Sequence, residues 1–261
     1  MKKITRKILI ICLSTISFAA NAQVTDTIKK DLLTAPDTVK QLHVKGWTLI
    51  PPAALIVYGA SSFVIHPVRR FDYYIYSDVQ KTGANFKTTT ESYFQFAPII
   101  MVYGLNLIGV SGKNTFIDRT ALLGLSAGIF GVSGYATKKF SHRLRPNKND
   151  YLSFPSGHTG TAFMGAEFLA QEYSDKSPVY TILGYTFAVT TGIFRMYNKD
   201  HWFSDVVAGA GFGIISTKAA YLIYPYIRNA LTHTDQKTGK STYVMPTYQD
   251  GAIGLSFAMQ L

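Results

Sequence analysis

The sequence predicts an all-α fold: a membrane-embedded bundle of about six helices with a C-terminal β-hairpin. Three observations point there. Only 16% of the 261 residues are charged while 47% are hydrophobic, against about 25% charged in an average soluble domain. The hydrophobic residues fall in long runs separated by short polar loops, and such lengths suit helices better than strands. The final ten residues switch to strict alternation, the period of a strand. This composition excludes a disordered or fibrous chain. A single Cys excludes a disulfide framework and a thiolate metal site.

The chain opens with Met1-Lys2-Lys3-Ile4-Thr5-Arg6-Lys7, an apolar run from Ile8 to Ala20, and then Ala20-Asn21-Ala22. These are the three regions of a secretory signal peptide, with cleavage expected after Ala22. The run is too short for an ordinary spanning helix, although an uncleaved anchor remains the alternative. Cys12 lies inside this leader. The protein is therefore expected to be exported to the cell envelope, as a periplasm-facing membrane protein or a periplasmic one. The formal net charge is +11, which favours anionic partners. After export, a lipid or a small phosphate ester suits that charge better than nucleic acid. Oligomeric state is not readable.

Residues 23–45 are polar and read as an arm, ahead of a domain over 46–230 and a tail over 231–261. Apolar runs follow at 47–66, 93–111, 119–137, 157–173, 178–194 and 205–228. Pro51-Pro52 starts or kinks the first. The second, third, fifth and sixth are long and poor in charge, as spanning helices must be; the fourth carries Glu167, Gln171 and Glu172. Small residues recur at Gly124, Gly128, Gly131 and Gly134 and from Ala208 to Gly213, which lets helices approach closely. A cleaved leader leaves the mature N-terminus outside. Three spans would then put the chain after residue 137 on the cytoplasmic side, unless one early run does not cross. Hydropathy alone leaves a soluble helical domain open. The segment 67–92 reads as loop, and its aromatic run Phe71-Asp72-Tyr73-Tyr74-Ile75-Tyr76 as ordinary packing ahead of a head-group site. Thr242–Gln249, the turn Asp250-Gly251 and the alternating residues 252–261 form the hairpin, which needs the helices for support.

The chemistry-bearing residues cluster at the ends of the apolar runs. Lys138-Lys139-Phe140-Ser141-His142-Arg143-Leu144-Arg145-Pro146 is a cationic helix end, the form also taken by a positive loop beside a membrane helix. Phe154-Pro155-Ser156-Gly157-His158 is a turn into a helix, whose free N–H groups and dipole make an anion site; a plain cap is the alternative. In the third cluster, from Phe194 to Asp205, His201 and Asp205 are four apart and share a helix face. Asp205 can accept from one ring nitrogen of His201 and leave the other bare as base or nucleophile. Arg195 supplies a two-pronged phosphate donor. Asp200, His201 and Asp205 lack a metal-site spacing. Together these groups form an inventory for phosphoryl transfer through histidine.

Lys138 followed after six residues by Arg145-Pro146, then Pro155-Ser156-Gly157-His158, then Arg195, five residues, His201, three residues and Asp205, resemble the three motifs of the type 2 phosphatidic acid phosphatases. That superfamily also includes bacterial class A acid phosphatases and vanadium haloperoxidases. The resemblance spans about residues 90–228. It implies an all-helical, metal-independent phosphatase without cofactor, acting on a phosphomonoester or pyrophosphate, with a phosphorylated envelope lipid as first substrate class. A soluble periplasmic acid phosphatase comes second and a vanadate-dependent haloperoxidase third. By position, His201 is the nucleophile, Asp205 orients it and His158 protonates the leaving oxygen. Lys138, Arg145, Ser156, Gly157 and Arg195 hold the phosphate, with Lys138 preferred over Lys139 by spacing. Phe194 departs from the family, which often has Ser there.

Overall fold

The computed structural model describes residues 45–231 and the two strands 242–249 and 252–259. The expected leader and almost all of the polar arm lie outside the described residues. A 3₁₀ turn at Gly46–Leu49 leads into α1 (Ile50–Ser61), whose Pro51 and Pro52 sit in the first turn, where no intrahelical N–H is lost. The chain then bends by 89° into α2 (His66–Gly83). There follow α3 (Glu91–Phe94), α4 (Ala97–Leu107), α5 (Phe116–Ser141), α6 (Gly157–Tyr173), α7 (Pro178–Tyr197) and α8 (Phe203–Leu231). The strands β1 (Thr242–Gln249) and β2 (Ala252–Met259) pair antiparallel, Gln249 opposite Ala252, as the alternation anticipates.

Two expectations change. The segment read as loop after residue 67 is largely the 18-residue helix α2. A search for long apolar runs misses it, because only Asp72 of the helix is buried and its outer positions are polar or aromatic. Four runs were expected to span. Among the described residues, α5 and the Phe203–Arg228 stretch of α8 are long and apolar enough to cross a membrane. At about 1.5 Å per residue their 26 residues exceed the roughly 30 Å hydrocarbon layer. The second run breaks into the four-residue α3 and the 11-residue α4, and Thr and Tyr dilute the fifth. The bent pair Gly46–Ser61 and His66–Gly83 passes only if both halves count as one span. In α5 only 17% of the apolar window is buried by protein. A long apolar helix left bare by its own protein matches a lipid environment better than water.

At the centre, α6 packs on α4, α5, α7 and α8, and α8 also packs on α1 and α5. Glycine makes the α6–α8 crossing close. A Cβ on Gly209 would stand 2.6 Å from the Ser156 carbonyl oxygen, and one on Gly213 would strike the Gly160 carbonyl. This brings the N-termini of both helices together. The apolar core of Val102, Leu122, Phe168, Leu169, Tyr173, Tyr221 and Tyr224 fills the other end of the bundle. The end where the sequence motifs lie is therefore left to polar groups.

Candidate active site

Four helix ends meet at the polar end of the bundle. After Ser141, His142 takes a left-handed conformation (φ 44°), ending α5 and turning the loop 142–156 back across α6 and α8. In that turn Lys138 Nζ donates to the carbonyls of Leu152 (2.8 Å) and Pro155 (2.6 Å). The neighbouring Lys139 is exposed and lies over the Tyr135 ring. The loop is stitched by Arg145, which pairs with Asp150 (2.8 Å).

The first residues of α6 follow. Ser156 is the N-cap, and Gly157 and His158 carry N–H groups with no intrahelical acceptor. Ser156 is fully buried, its N–H donates to the Asp205 carbonyl (3.0 Å), and its hydroxyl pairs with that of Thr159 (2.9 Å). The Ser156 hydroxyl makes no capping bond to the first turn of α6. The Lys138 side chain runs beside Gly157, 3.9 Å from where a Cβ would be.

From α7, Arg195 NH1 meets Glu91 Oε1 (3.1 Å) and Asp200 Oδ2 (2.9 Å), while its buried Nε has no partner among the described residues. Phe194 packs against Phe86 and Phe94.

Asp205 sits in the first turn of α8 and His201 in the bend two residues ahead of that helix, 0% and 3% exposed, so His201 is not on the helix face expected for it. His201 Nδ1 lies 2.7 Å from the Ser153 carbonyl and 3.8 Å from Asp205 Oδ2. A carbonyl only accepts, so Nδ1 carries the proton and Nε2 keeps its lone pair. The expected direct bond to Asp205 is thus replaced. Asp205 Oδ2 instead accepts from Ser153 Oγ (2.5 Å) and the Trp202 N–H (2.9 Å). It holds the residue whose carbonyl holds the ring, and it reaches the imidazole by charge.

Burial is the main cause that lowers His158 to about 4, and Arg195, Arg145 and Lys138 add to it. Three cations from three elements therefore project their field onto one histidine. Burial likewise lowers His201 to about 4, with Asp205 opposing. Burial raises Asp200, against the pull of Arg195 and Arg145. Of the eight expected site residues, Lys138, Arg145, Gly157, His158, Arg195, His201 and Asp205 converge, and Ser156 lies behind them. Among the described residues no three His, Cys, Asp or Glu side chains gather as metal ligands.

The motif pattern misses the supporting carboxylates Glu91, Asp150 and Asp200, and also Asp72 and Arg143. Asp150, Asp200 and Arg143 lie within or beside the motifs. Nothing local marked Glu91 or Asp72, which arrive by tertiary folding.

Residues 119–229 match the family model described as the PAP2 superfamily. A lipid A 1-phosphatase of Porphyromonas gingivalis is 35% identical over 56% of this chain and 33% of its own length. A probable lipid phosphate phosphatase 4 of Arabidopsis thaliana is 32% identical over 41% of this chain and 42% of its own. The chain thus spans less than half the length of these curated relatives. Two crystal structures are similar. LpxE of Aquifex aeolicus gives a TM-score of 0.43 at 19% identity, over 55% of this chain and 92% of that one. A transmembrane PAP2 type phosphatidylglycerolphosphate phosphatase of Bacillus subtilis gives 0.46 at 20% identity, over 71% and 99%.

Proposed function

We propose, from the match of residues 119–229 to the PAP2 superfamily model, that the protein is a membrane phosphatase of the cell envelope. It hydrolyses a phosphomonoester or pyrophosphate on an exported, periplasm-facing lipid through a phosphohistidine on His201, without a metal. The supporting observation is the tautomer of His201, whose proton is held on Nδ1 by the Ser153 carbonyl at 2.7 Å, at a site onto which Lys138, Arg145 and Arg195 project charge.

In the first step Nε2 attacks phosphorus and the bond from phosphorus to the leaving oxygen breaks. His158 gives that oxygen a proton. In the second step water attacks phosphorus and the P–N bond breaks. His158 takes the proton of the water, and phosphate leaves. Lys138, Arg145, Arg195 and the N–H groups of Gly157 and His158 carry the equatorial oxygens, where charge is concentrated. Asp205 stabilises the ring as it gains positive charge.

The helices α5 and α8 favour a lipid substrate, since their apolar surfaces suit a bilayer. The relative named lipid A 1-phosphatase makes a phosphorylated glycolipid the first candidate. The test is phosphate release in detergent with EDTA, on a lipid A phosphate, a lipid pyrophosphate, phosphatidic acid and an aryl phosphate. Lipid turnover far above that of the aryl ester is expected. Preference for the aryl ester would indicate a broad acid phosphatase, and loss of activity in EDTA would refute the metal-free mechanism.

A further inference from the structure

Arg143 stands in the cationic run of the first motif, yet both of its terminal nitrogens are committed inside the protein. NH1 lies 3.0 Å from Ser62 Oγ, 2.7 Å from Ser204 Oγ and 2.8 Å from Asp205 Oδ1. NH2 donates to Asp72 Oδ2 at 2.6 Å. The guanidinium lies over the rings of Phe63 (5.3 Å) and Trp202 (5.9 Å). Asp72, from α2, is 1% exposed and spends both oxygens here. Oδ1 accepts the Ser204 N–H (2.8 Å) and Oδ2 the Ser204 hydroxyl (2.7 Å).

The Ser204 N–H belongs to the first turn of α8, where no intrahelical acceptor exists. Asp72 therefore caps the catalytic helix from a different helix. Arg143 fixes the Oδ1 side of Asp205, while Ser153 and Trp202 fix the Oδ2 side. A carboxylate held on both oxygens cannot rotate, and Ser153, bound to it, presents its carbonyl to His201.

Given the His201 mechanism above, we propose that Asp72 and Arg143 are a positioning pair that acts through Asp205 to keep His201 Nε2 in line with phosphorus. Neither residue touches the phosphate. The pair also makes α2 part of the catalytic apparatus. Aromatic contacts of Tyr73 and Tyr76 with Trp202, and of Phe71 with Phe203, hold the same two helix ends together.

The experiment measures kcat, KM and product inhibition by inorganic phosphate for the whole chain in detergent, comparing wild type with Asp72→Asn, Arg143→Lys and the double variant. Asn offers one acceptor where Asp72 supplies two, so a donor must face Arg143 or Ser204. A displacement of about 1 Å at the reacting atoms costs roughly 10²-fold in rate. A kcat loss of that order is expected in each single variant, with KM and phosphate inhibition within about twofold of wild type. The double variant should be little worse than either single one, since both remove the same clamp. Arg145→Lys should instead weaken phosphate inhibition. Melting temperature in detergent identifies a variant that fails to fold, and Ser204→Ala, which removes one hydroxyl of the clamp, then gives a milder kcat loss of the same kind. Wild-type kcat in folded variants would overturn the pair while leaving the phosphatase reading intact. Equal losses in kcat and phosphate inhibition would make these residues part of the phosphate cradle and overturn the proposal. Absence of turnover by wild type would overturn the mechanism on which the pair rests.

Discussion

Both ends of the bundle bury charged clusters, and the two differ in what is left over. At the far end, Glu172 accepts from Arg119 Nε (3.2 Å), Asn114 Nδ2 (2.6 Å) and the Tyr221 hydroxyl (2.5 Å). Asp118 accepts from the Tyr224 hydroxyl (2.6 Å) and Arg228 Nε (2.9 Å). Carboxylates there are filled by donors of the same bundle. At the near end the protons of Lys138 go to carbonyls, which satisfy them without cancelling the charge. The opening turn of α6 presents backbone N–H groups with no intrahelical acceptor. A cluster that closes on itself fastens helices together, whereas one with donors to spare receives an anion. Burial and charge are common to both ends, so neither property alone identifies a site.

The sharpest separation of the two ends is His201→Ala. Turnover should fall by at least about 10⁴-fold, equivalent to more than 5 kcal/mol of barrier, while the melting temperature stays near wild type. Glu172→Gln should do the reverse. Breaking a buried pair costs about 3–5 kcal/mol of stability, so the melting temperature should drop while kcat per folded molecule is unchanged. Lost activity in folded Glu172→Gln would show that the far end also serves catalysis.

His158 provides a test within the near end. Its cationic neighbours and burial lower it to about 4, and His201 is also lowered to about 4. His201 must be neutral to attack, so activity should fall on the acid side as it gains a proton. His158 must be protonated to donate, so activity should fall on the alkaline side as it loses one. A bound phosphate offsets Arg195, Arg145 and Lys138 and raises His158. The alkaline limb of kcat should therefore lie at higher pH than that of kcat/KM, and it should vanish in His158→Ala. That variant should lose roughly 10²–10⁴-fold on alkyl or lipid esters and much less on an aryl ester, whose leaving group needs little protonation. Coincident limbs would remove His158 as the acid. The smallest expected effect is that of Lys139→Ala, within about 0.5 kcal/mol as for an ordinary surface change. Lys138→Ala should instead raise KM and lower kcat.

The candidate site was more legible in the sequence than its supports. The motif resemblance picked Lys138 over Lys139, and the short separation of His201 and Asp205 brought the two together at the entry to α8. The apolar runs at 157–173, 178–194 and 205–228 matched α6, α7 and α8 closely, since lengths and capping signals there are local. Asp72 was not legible as a site residue. Its helix buries little, and its importance comes from contacts with residues 71 and 132 positions away. The hydroxyl pairing of Ser156 with Thr159 was likewise not legible, since a hydroxyl at a helix start has several local partners to choose from. The direct His201–Asp205 bond failed because a backbone carbonyl, invisible to side-chain patterns, stood closer.

The mechanism stands or falls on whether phosphorus passes through His201. Wild type and His201→Ala would be mixed in EDTA with a lipid phosphate carrying labelled phosphorus, then quenched within one turnover and the protein-bound label characterised. Wild type should hold label that is stable in base and released by acid, as expected for a phosphoramidate, while His201→Ala should hold none. Equal phosphate release by both proteins, or label that survives acid, would contradict a phosphohistidine at this site.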